Sequence, residues 1–435
     1  MKLFSHSKNS FAYSNRISLS KLIDLCQMPA TVFDQENFVT NCGILYNHLF
    51  VDSRYMYAKD TYTATVSDGV ITEGPTFNQS QSVYIKGKTV FTVNNNIFRV
   101  DEPLELTVDN LDTGTEFVLG TDYYVYICDP SNGNIEEDID EVYLISANSS
   151  YPEGYDESNS RKIGGFHYGR CRWSNEEFYP VGTNAEVFGT NWMTNVYIGI
   201  VPNSVWTLLH RPMCNPEGMV WLWGNLWGDI YLSSDNGNYG LQSVKAKAPM
   251  SGTESMNWYG LIERAANVNK RLPTYSELAQ AALGTPPGAN NNTYNHTSSS
   301  NSGRCNTGNI ANAVSSYNVC DMVGSIYKWT TNITDAEASG AYTCAWKNAQ
   351  SNIQTGGLIT TVGCGDYYSP VNTSIKAIRG GGSWGTSTNA GSRCLVEDYY
   401  PWIVNANTAC WCVCKALHNE RNAHIFKNSY ETYYL

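Results

Sequence analysis

The chain has 435 residues, room for roughly two or three domains with cores of their own. Hydrophobic residues make up 42% and charged residues 16%, a balance that excludes a disordered chain. The formal net charge is −12 and no run of Lys and Arg forms a basic face, which argues against a nucleic-acid partner and against attraction to an anionic membrane.

No window of about eighteen apolar residues occurs, so no membrane insertion is expected. Met1-Lys2-Leu3-Phe4-Ser5-His6 lacks the apolar core of a secretory signal. The 13 Cys are odd in number and form no CxxC pair, which fits synthesis in a reducing cytoplasm better than a disulfide framework.

Taken in order, residues 18–26 suggest a short helix with Leu19, Leu22, Ile23 and Cys26 on one face. Residues 51–145 read as short strands separated by turns. Examples are Thr61–Val66 before Ser67-Asp68-Gly69, Ser82–Ile85 and Thr89–Val93 around Lys86-Gly87-Lys88, Leu104–Val108 and Asp122–Ile127. This spacing predicts a small β-sandwich or barrel. The acidic run Glu136–Glu141 reads as a solvated loop. No Trp precedes Trp173, and Ser149–Gly154 is rich in turn residues, so a domain boundary is expected near 150–170.

Beyond it, Val220–Leu232 reads as buried strand. Thr253–Asn267 predicts a helix with Met256, Tyr259, Ile262 and Ala266 on one face. Thr274-Tyr275-Ser276-Glu277 is a capping box opening a second helix that stops at Gly284. Residues 285–309 form a polar surface loop. Cys410, Cys412 and Cys414 alternate along a strand and would share one face as small core residues. His167 near Arg170 and Cys171 shows no group to orient it as a base and reads as structural.

Three C-terminal landmarks appear in order: Arg271-Leu272-Pro273-Thr274 before its capped helix, Asp321-Met322-Val323-Gly324-Ser325-Ile326-Tyr327-Lys328-Trp329, and Arg379-Gly380-Gly381-Gly382-Ser383-Trp384. They resemble the C-type lectin fold of the formylglycine-generating-enzyme type. The segments Ser160–His167, Val205–Cys214 and Trp227–Leu232 look like those of one branch, the phage major tropism determinant family.

The resemblance covers about residues 160–417. It implies a C-type-lectin-like domain over 160–435; with the strand-rich 51–150 read as a β-sandwich-like domain and 1–50 as a virion-attachment or trimerisation segment, the chain is expected to be α+β. The resemblance further implies a homotrimer at a tail-fibre tip, made in the host cytoplasm, contacting other tail-fibre or baseplate proteins and a protein or glycan receptor on the host bacterium.

In that family the variable region, here about 379–414, is rewritten at adenines by a retroelement. By position from Trp384, the resemblance implies variable, receptor-binding residues at Ser383, Gly385, Thr386, Ser387, Asn389, Val396, Asp398, Tyr399, Ile403, Asn405, Asn407 and Thr408. All can be reached from an AAC codon by changing its adenines, as can Tyr400, which joins the set. Trp384, Trp402, Trp411, Glu397 and Lys415 cannot. Arg379, Gly381, Gly382, Trp384, Gly391, Arg393, Pro401 and Trp402 would be the fixed scaffold.

The superfamily also holds oxidases. The thiols that act in them fall here on Thr386 and Gly391, which cannot bind copper or cycle redox state. The 7 His show no metal spacing, and Lys328 stands where a calcium ligand would be. No cofactor and no metal are therefore expected. The mixture of Tyr, Ser, Thr, Asn and Gly with Trp402 over 383–408 instead resembles the chemistry of a paratope, rigid aromatics supplying area and small polar residues adaptable hydrogen bonds. The rival readings are a retroelement-diversified protein on a bacterium's own surface, a fibre that reads one fixed glycan, and a formylglycine-generating-type oxidase.

Overall fold

The computed structural model describes residues 54–58, 61–67, 70–78, 81–87, 89–93, 96–130, 142–172, 196–285, 303–311, 313–335, 346–347, 367–368, 375–386 and 390–417. The expected helix at 18–26, the acidic run at 136–141, most of the 285–309 loop, Ser387, Asn389 and the tail beyond 417 lie outside them.

The first strands are β1 (Met56–Ala58), β2 (Thr61–Ser67), β3 (Val70–Asn78), β4 (Val83–Ile85), β5 (Thr89–Val93), β6 (Asn96–Val100) and β7 (Leu104–Leu106). β4 lies between β1 and β7, while β2 pairs with β3 and β5 with β6. β4 and β5 therefore do not form a hairpin with each other. A Cβ on Gly87 would stand 2.7 Å from the Asp101 carbonyl, so the turn is packed against residues 101–102 and directs the chain out of the sheet.

Next come β8 (Thr121–Cys128), β9 (Val142–Ser146), β10 (Ser160–Arg172), β11 (Val196–Ile200) and β12 (Trp206–Thr207). They form one sheet in the order β11-β10-β8-β9, with β12 also on β10. This sheet runs straight across the boundary expected near 150–170. One apolar core extends from Tyr55 and Ile85 through Val125 and Ile163 to Val205. Trp content changes at that boundary while the hydrogen bonding does not.

His167 lies in β10, buried, with Nδ1 3.0 Å from Asp122 and Nε2 3.0 Å from the Tyr231 hydroxyl. The sequence showed no orienting partner, and the fold supplies one from β8. No nucleophile completes the set, because Tyr231 is buried and its hydroxyl is pushed well above its usual pKa by that burial. His167 thus links the two halves of the chain.

The C-terminal half opens with β13 (Met219–Trp223) and β14 (Leu226–Asp229). The sequence suggested one continuous strand here. Gly224, at φ +54°, and Asn225 instead turn it into a hairpin, because a two-residue hairpin loop needs positive φ. β15 (Ser234–Asp235) and β16 (Leu241–Gln242) follow.

Helix α1 (Trp258–Ala266) is capped by the Asn257 side chain. It buries Trp258, Leu261 and Ala265, whereas Tyr259 points outward. The core face is therefore one step round from the stripe expected at Met256, Tyr259 and Ile262. Because the cap sits at Asn257, Met256 precedes the helix. Helix α2 (Tyr275–Ala281) carries the anticipated capping box, with Thr274 and Glu277 each accepting the other's backbone N–H. Gly284 follows at φ +79°.

The remaining strands are β17 (Tyr327–Asp335), β18 (Trp346–Lys347), β19 (Tyr367–Tyr368), β20 (Ile375–Gly380), β21 (Leu395–Tyr399), β22 (Thr408–Ala409) and β23 (Val413–Lys415). Six of them form a sheet in the order β18-β19-β21-β20-β17-β22, and β23 joins β14 beside β13.

The run leading into β23 is buried on both sides. Cys410 and Cys412 enter one core, Trp411 and Val413 a second, and Cys414 a third, so the thiols do not line a single core. Beneath this run Lys270 Nζ meets Asp229 at 2.6 Å, both buried. Among the described residues no group of His, Cys, Asp and Glu is arranged to hold a metal, and no helix is long and apolar enough to cross a membrane.

Candidate functional site: a buried frame and an outward lip

Everything over 379–408 is built around one guanidinium. Arg379, on β20, is only 2% exposed. Its Nη2 donates to both oxygens of Asp398 at 2.8 and 3.0 Å, and its Nη1 donates to Asn407 at 3.1 Å and to Thr408 at 3.0 Å. Its carbon lies 4.0 Å from the centroid of the Tyr327 ring and 3.6 Å from that of Tyr399. One side chain thus ties β20 to β21, to the approach to β22 and to β17. Such a fork has its charge paired, its donors used and its planar faces covered by aromatic rings.

A second knot follows β20. Gly381 and Gly382 adopt φ +79° and +84°. A Cβ on Gly381 would lie 2.4 Å from the Met322 carbonyl, and one on Gly382 would lie 2.5 Å from Ala390 Cβ. Both need glycine for conformation and for space. Gly381 donates to the Cys394 carbonyl at 3.1 Å, and Trp384 N donates to the Ser325 carbonyl at 3.0 Å. Ser383 N donates to Thr386 Oγ1 at 2.7 Å, and Thr386 Oγ1 donates to the Tyr327 hydroxyl at 2.8 Å.

Gly391 is buried and accepts from Cys394 N at 3.0 Å, and the Arg393 carbonyl accepts the Tyr275 hydroxyl at 2.6 Å. Pro401 is buried, and its carbonyl accepts from Trp258 N at 3.1 Å.

Lys328 runs under this knot. It is fully buried, donates to the Gly324 carbonyl at 3.0 Å, and its Nζ lies 3.2 Å from where a Gly381 Cβ would be. Burial pulls its pKa down to about 7, against the opposing attraction of Asp321 and Cys394.

The expected binding positions divide into three groups. Ser383, Thr386, Val396 and Thr408 are buried, so their side chains face the frame and a ligand cannot touch them as they stand. Val396 packs with Tyr327 and Cys394. Asp398, Tyr399 and Asn407 are half-buried and engaged by Arg379, and the Tyr399 hydroxyl accepts from Asn405 Nδ2 at 2.8 Å. Gly385 is exposed, while Tyr400, Ile403 and Asn405 are half-buried at the surface.

Trp402 corrects an expectation in the other direction. The sequence places it both with the scaffold and in the paratope-like mixture, and at 54% exposed it sides with the mixture. Its ring lies parallel to Tyr400 with centroids 5.0 Å apart, and Lys376 Nζ sits 3.4 Å from the centre of the Tyr400 ring. Val404, which sequence reasoning missed, is 51% exposed. The loop bearing them is anchored by Ile403 N to the Tyr400 carbonyl at 3.0 Å and by Gly252 N to the Asn405 carbonyl at 3.2 Å. A Cβ on Gly252 would collide with the Asn405 backbone, so the loop sits directly on this turn. The available signal was Pro401 between two aromatic residues, a turn residue that forces its neighbours outward.

The site is therefore an aromatic lip on a rigid polar frame, carried by a six-stranded sheet and two helices in a C-type-lectin-like domain. A family described as the Mtd second domain matches residues 54–193. A tail fiber receptor-binding protein of Bordetella phage BPP-1 is 28% identical over 330 residues, covering 71% of this chain and 73% of that protein. Among solved structures, the Major Tropism Determinant I1 variant aligns over 79% of this chain and 83% of its own at 23% identity, with a TM-score of 0.53. The M1 variant aligns over 82% and 86%, at 23% identity and the same TM-score of 0.53. The chain is thus similar to the major tropism determinant proteins in its second-domain region, along most of its sequence and in its fold.

The Mtd second-domain match spans the expected boundary near 150–170, as the β11-β10-β8-β9 sheet does.

Proposed function

We propose that this protein is a phage tail-fibre receptor-binding protein that sets tropism by recognising a ligand on the host bacterium's surface. The observation that carries this reading is the lip itself: Tyr400, Trp402 and Val404 held outward on a backbone fixed from below by Pro401, Gly252 and Asn405. Large aromatic area presented with little remaining freedom is what a binding surface needs, because little conformational entropy is lost on association. The match of residues 54–193 to the Mtd second domain and the likeness to a phage receptor-binding protein support it.

On this reading the binding face comprises Gly385, Tyr400, Trp402, Ile403, Val404 and Asn405, together with Ser387 and Asn389 beyond the described residues. Retroelement diversification acts on the positions named from the family pattern. At Ser383, Thr386, Val396 and Thr408 it changes the shape of the face from beneath. Trp402 is a fixed contact beside changing ones. The protein is non-catalytic, sits in the virion after synthesis in the host cytoplasm, joins other tail-fibre or baseplate proteins, and assembles as a homotrimer that multiplies weak contacts by avidity.

The test is adsorption of the purified protein to the strain on which its phage plaques, together with sequencing of the gene across one phage population. Saturable binding that is lost with Trp402→Ala, and substitutions concentrated on the named positions, support the reading. Equal binding to non-host cells, or substitutions spread evenly along the chain, would overturn it.

A further inference from the structure

Pro212 and Ala416 face each other in an antiparallel bridge. Met213 N donates to the Lys415 carbonyl at 2.9 Å, and Leu417 N donates to the Arg211 carbonyl at 2.8 Å. These two bonds flank the bridge, which makes it a non-hydrogen-bonded pair. The chain bends at Met213 and Cys214, so Cys214 follows directly on the Met213–Lys415 hydrogen bond, beside which Cys414 lies on the facing segment. Both thiols are buried in one cluster with Met219 and Trp227, and they hydrogen-bond to each other.

We propose that Cys214 and Cys414 are a latent cross-strand disulfide, closed by a small peroxide oxidant once the protein leaves a reducing cytoplasm. Cys410 and Cys412 are also in contact, but they sit two residues apart in one extended run, where a bridge would need the backbone to buckle.

The pair is asymmetric, and this assigns the roles. The Cys214 thiol and backbone N–H groups of the 213–214 segment point at Cys414 and hold its thiol down to about 7, helped by the Lys270 ammonium. The same thiol–thiol hydrogen bond and burial push Cys214 up. Cys414 is therefore the attacking sulfur. As a thiol it faces the Asn269 carbonyl at 3.2 Å.

The Cys414 thiolate attacks one oxygen of hydrogen peroxide. The O–O bond breaks, hydroxide leaves, and Cys414 becomes a sulfenic acid. The Cys214 sulfur then attacks the Cys414 sulfur. The S–O bond breaks, and the departing hydroxide takes the Cys214 proton as water. Two thiols and one peroxide become one disulfide and two waters. The bridge would close a loop holding nearly all of the lectin-like domain and fasten the strand behind the lip to the 211–214 segment, constraining the unfolded chain.

The test treats the full chain with hydrogen peroxide, alkylates it under denaturing conditions and maps its peptides without reductant. The expected result is a linked peptide pair containing residues 214 and 414, lost on reduction, and a thermal midpoint raised by several degrees. Cys410→Ser should leave the link intact. Cys214→Ser should send Cys414 on to the sulfinic or sulfonic acid. Recovery of both cysteines alkylated after treatment, or of Cys414 over-oxidised while Cys214 remains alkylatable in the unmutated chain, overturns the proposal.

Discussion

Arg379 and Trp402 lie in the same short stretch and are placed the wrong way round by ordinary polarity. The permanent cation is buried, and the largest apolar side chain is half in solvent. The difference lies in what each residue's neighbours offer. Arg379 finds a carboxylate, an amide, a hydroxyl and two ring faces, so burial leaves no donor unmatched on its Nη atoms. Trp402 finds one parallel ring and open space. A paired charge can therefore serve in the frame of this stretch, while Trp402 and Val404 are left free to meet something else.

Breaking the frame should give the largest effect. Arg379→Ala removes the partner of a half-buried carboxylate and strands Asn407 and Thr408. The expected loss is about 3–5 kcal/mol, as for other broken buried pairs, read from urea unfolding midpoints. A loss below about 1 kcal/mol would show that the frame does not depend on this residue. Tyr399→Ala should fall on the same side of the division. Its ring covers the guanidinium and its hydroxyl holds Asn405, so stability should drop along with any change in binding.

A smaller effect belongs to Lys328. Its folded pKa, about 7, lies below the ordinary lysine value, so between about pH 7 and 10 the unfolded chain binds more protons than the folded one. Stability should therefore rise with pH across that window, by up to about 1.4 kcal/mol per unit from this group. Below pH 7 both states hold the proton and the contribution is flat. Lys328→Met should remove that slope while preserving side-chain volume. An unchanged slope in pH-dependent denaturation would mean that the ammonium is better solvated than its burial implies.

Much of this division was legible in the sequence, and the failures share a cause. The Gly381-Gly382-Ser383-Trp384 motif, the capping box at Thr274 and Glu277, and most of the short strands before residue 130 follow local rules and stand as read, although the strand read over Leu104–Val108 ends at Leu106, where Thr107 caps a 3-10 turn. Carrying positions over from a family pattern placed Ser383, Thr386, Val396 and Thr408 on the face, but their orientation depends on strands distant in sequence: Tyr327 for Thr386, Arg379 for Thr408. Trp402 was taken for scaffold because it cannot be reached by the diversifying chemistry. Fixed and buried are different properties, and only the fold separates them. The boundary near 150–170 failed likewise, since composition shifts there while β10 hydrogen-bonds across it.

The lip yields the next prediction. Trp402→Ala should change folding stability by no more than about 0.5 kcal/mol, as for an exposed side chain outside any network. It should still weaken adsorption to host cells by about 2 kcal/mol, roughly thirtyfold, the scale of a central aromatic contact. A variant that unfolds would place Trp402 with Arg379 in the frame. A variant that is stable and binds normally would remove the lip from the binding face.

The smallest expected effect sharpens the comparison most, because it contrasts glycines only a few residues apart. A Cβ on Gly385 meets nothing within 4 Å, and its φ lies outside the region that excludes other residues. Gly385→Ser should therefore fold within about 0.5 kcal/mol of the parent. Gly382→Ser places a side chain against Ala390 at φ +84° and should cost several times more. If the two variants have the same midpoint, the line between frame and face does not run between them. If they separate as expected, Gly382 belongs to the frame and Gly385 to the face, and variation at Gly385 leaves intact what holds it.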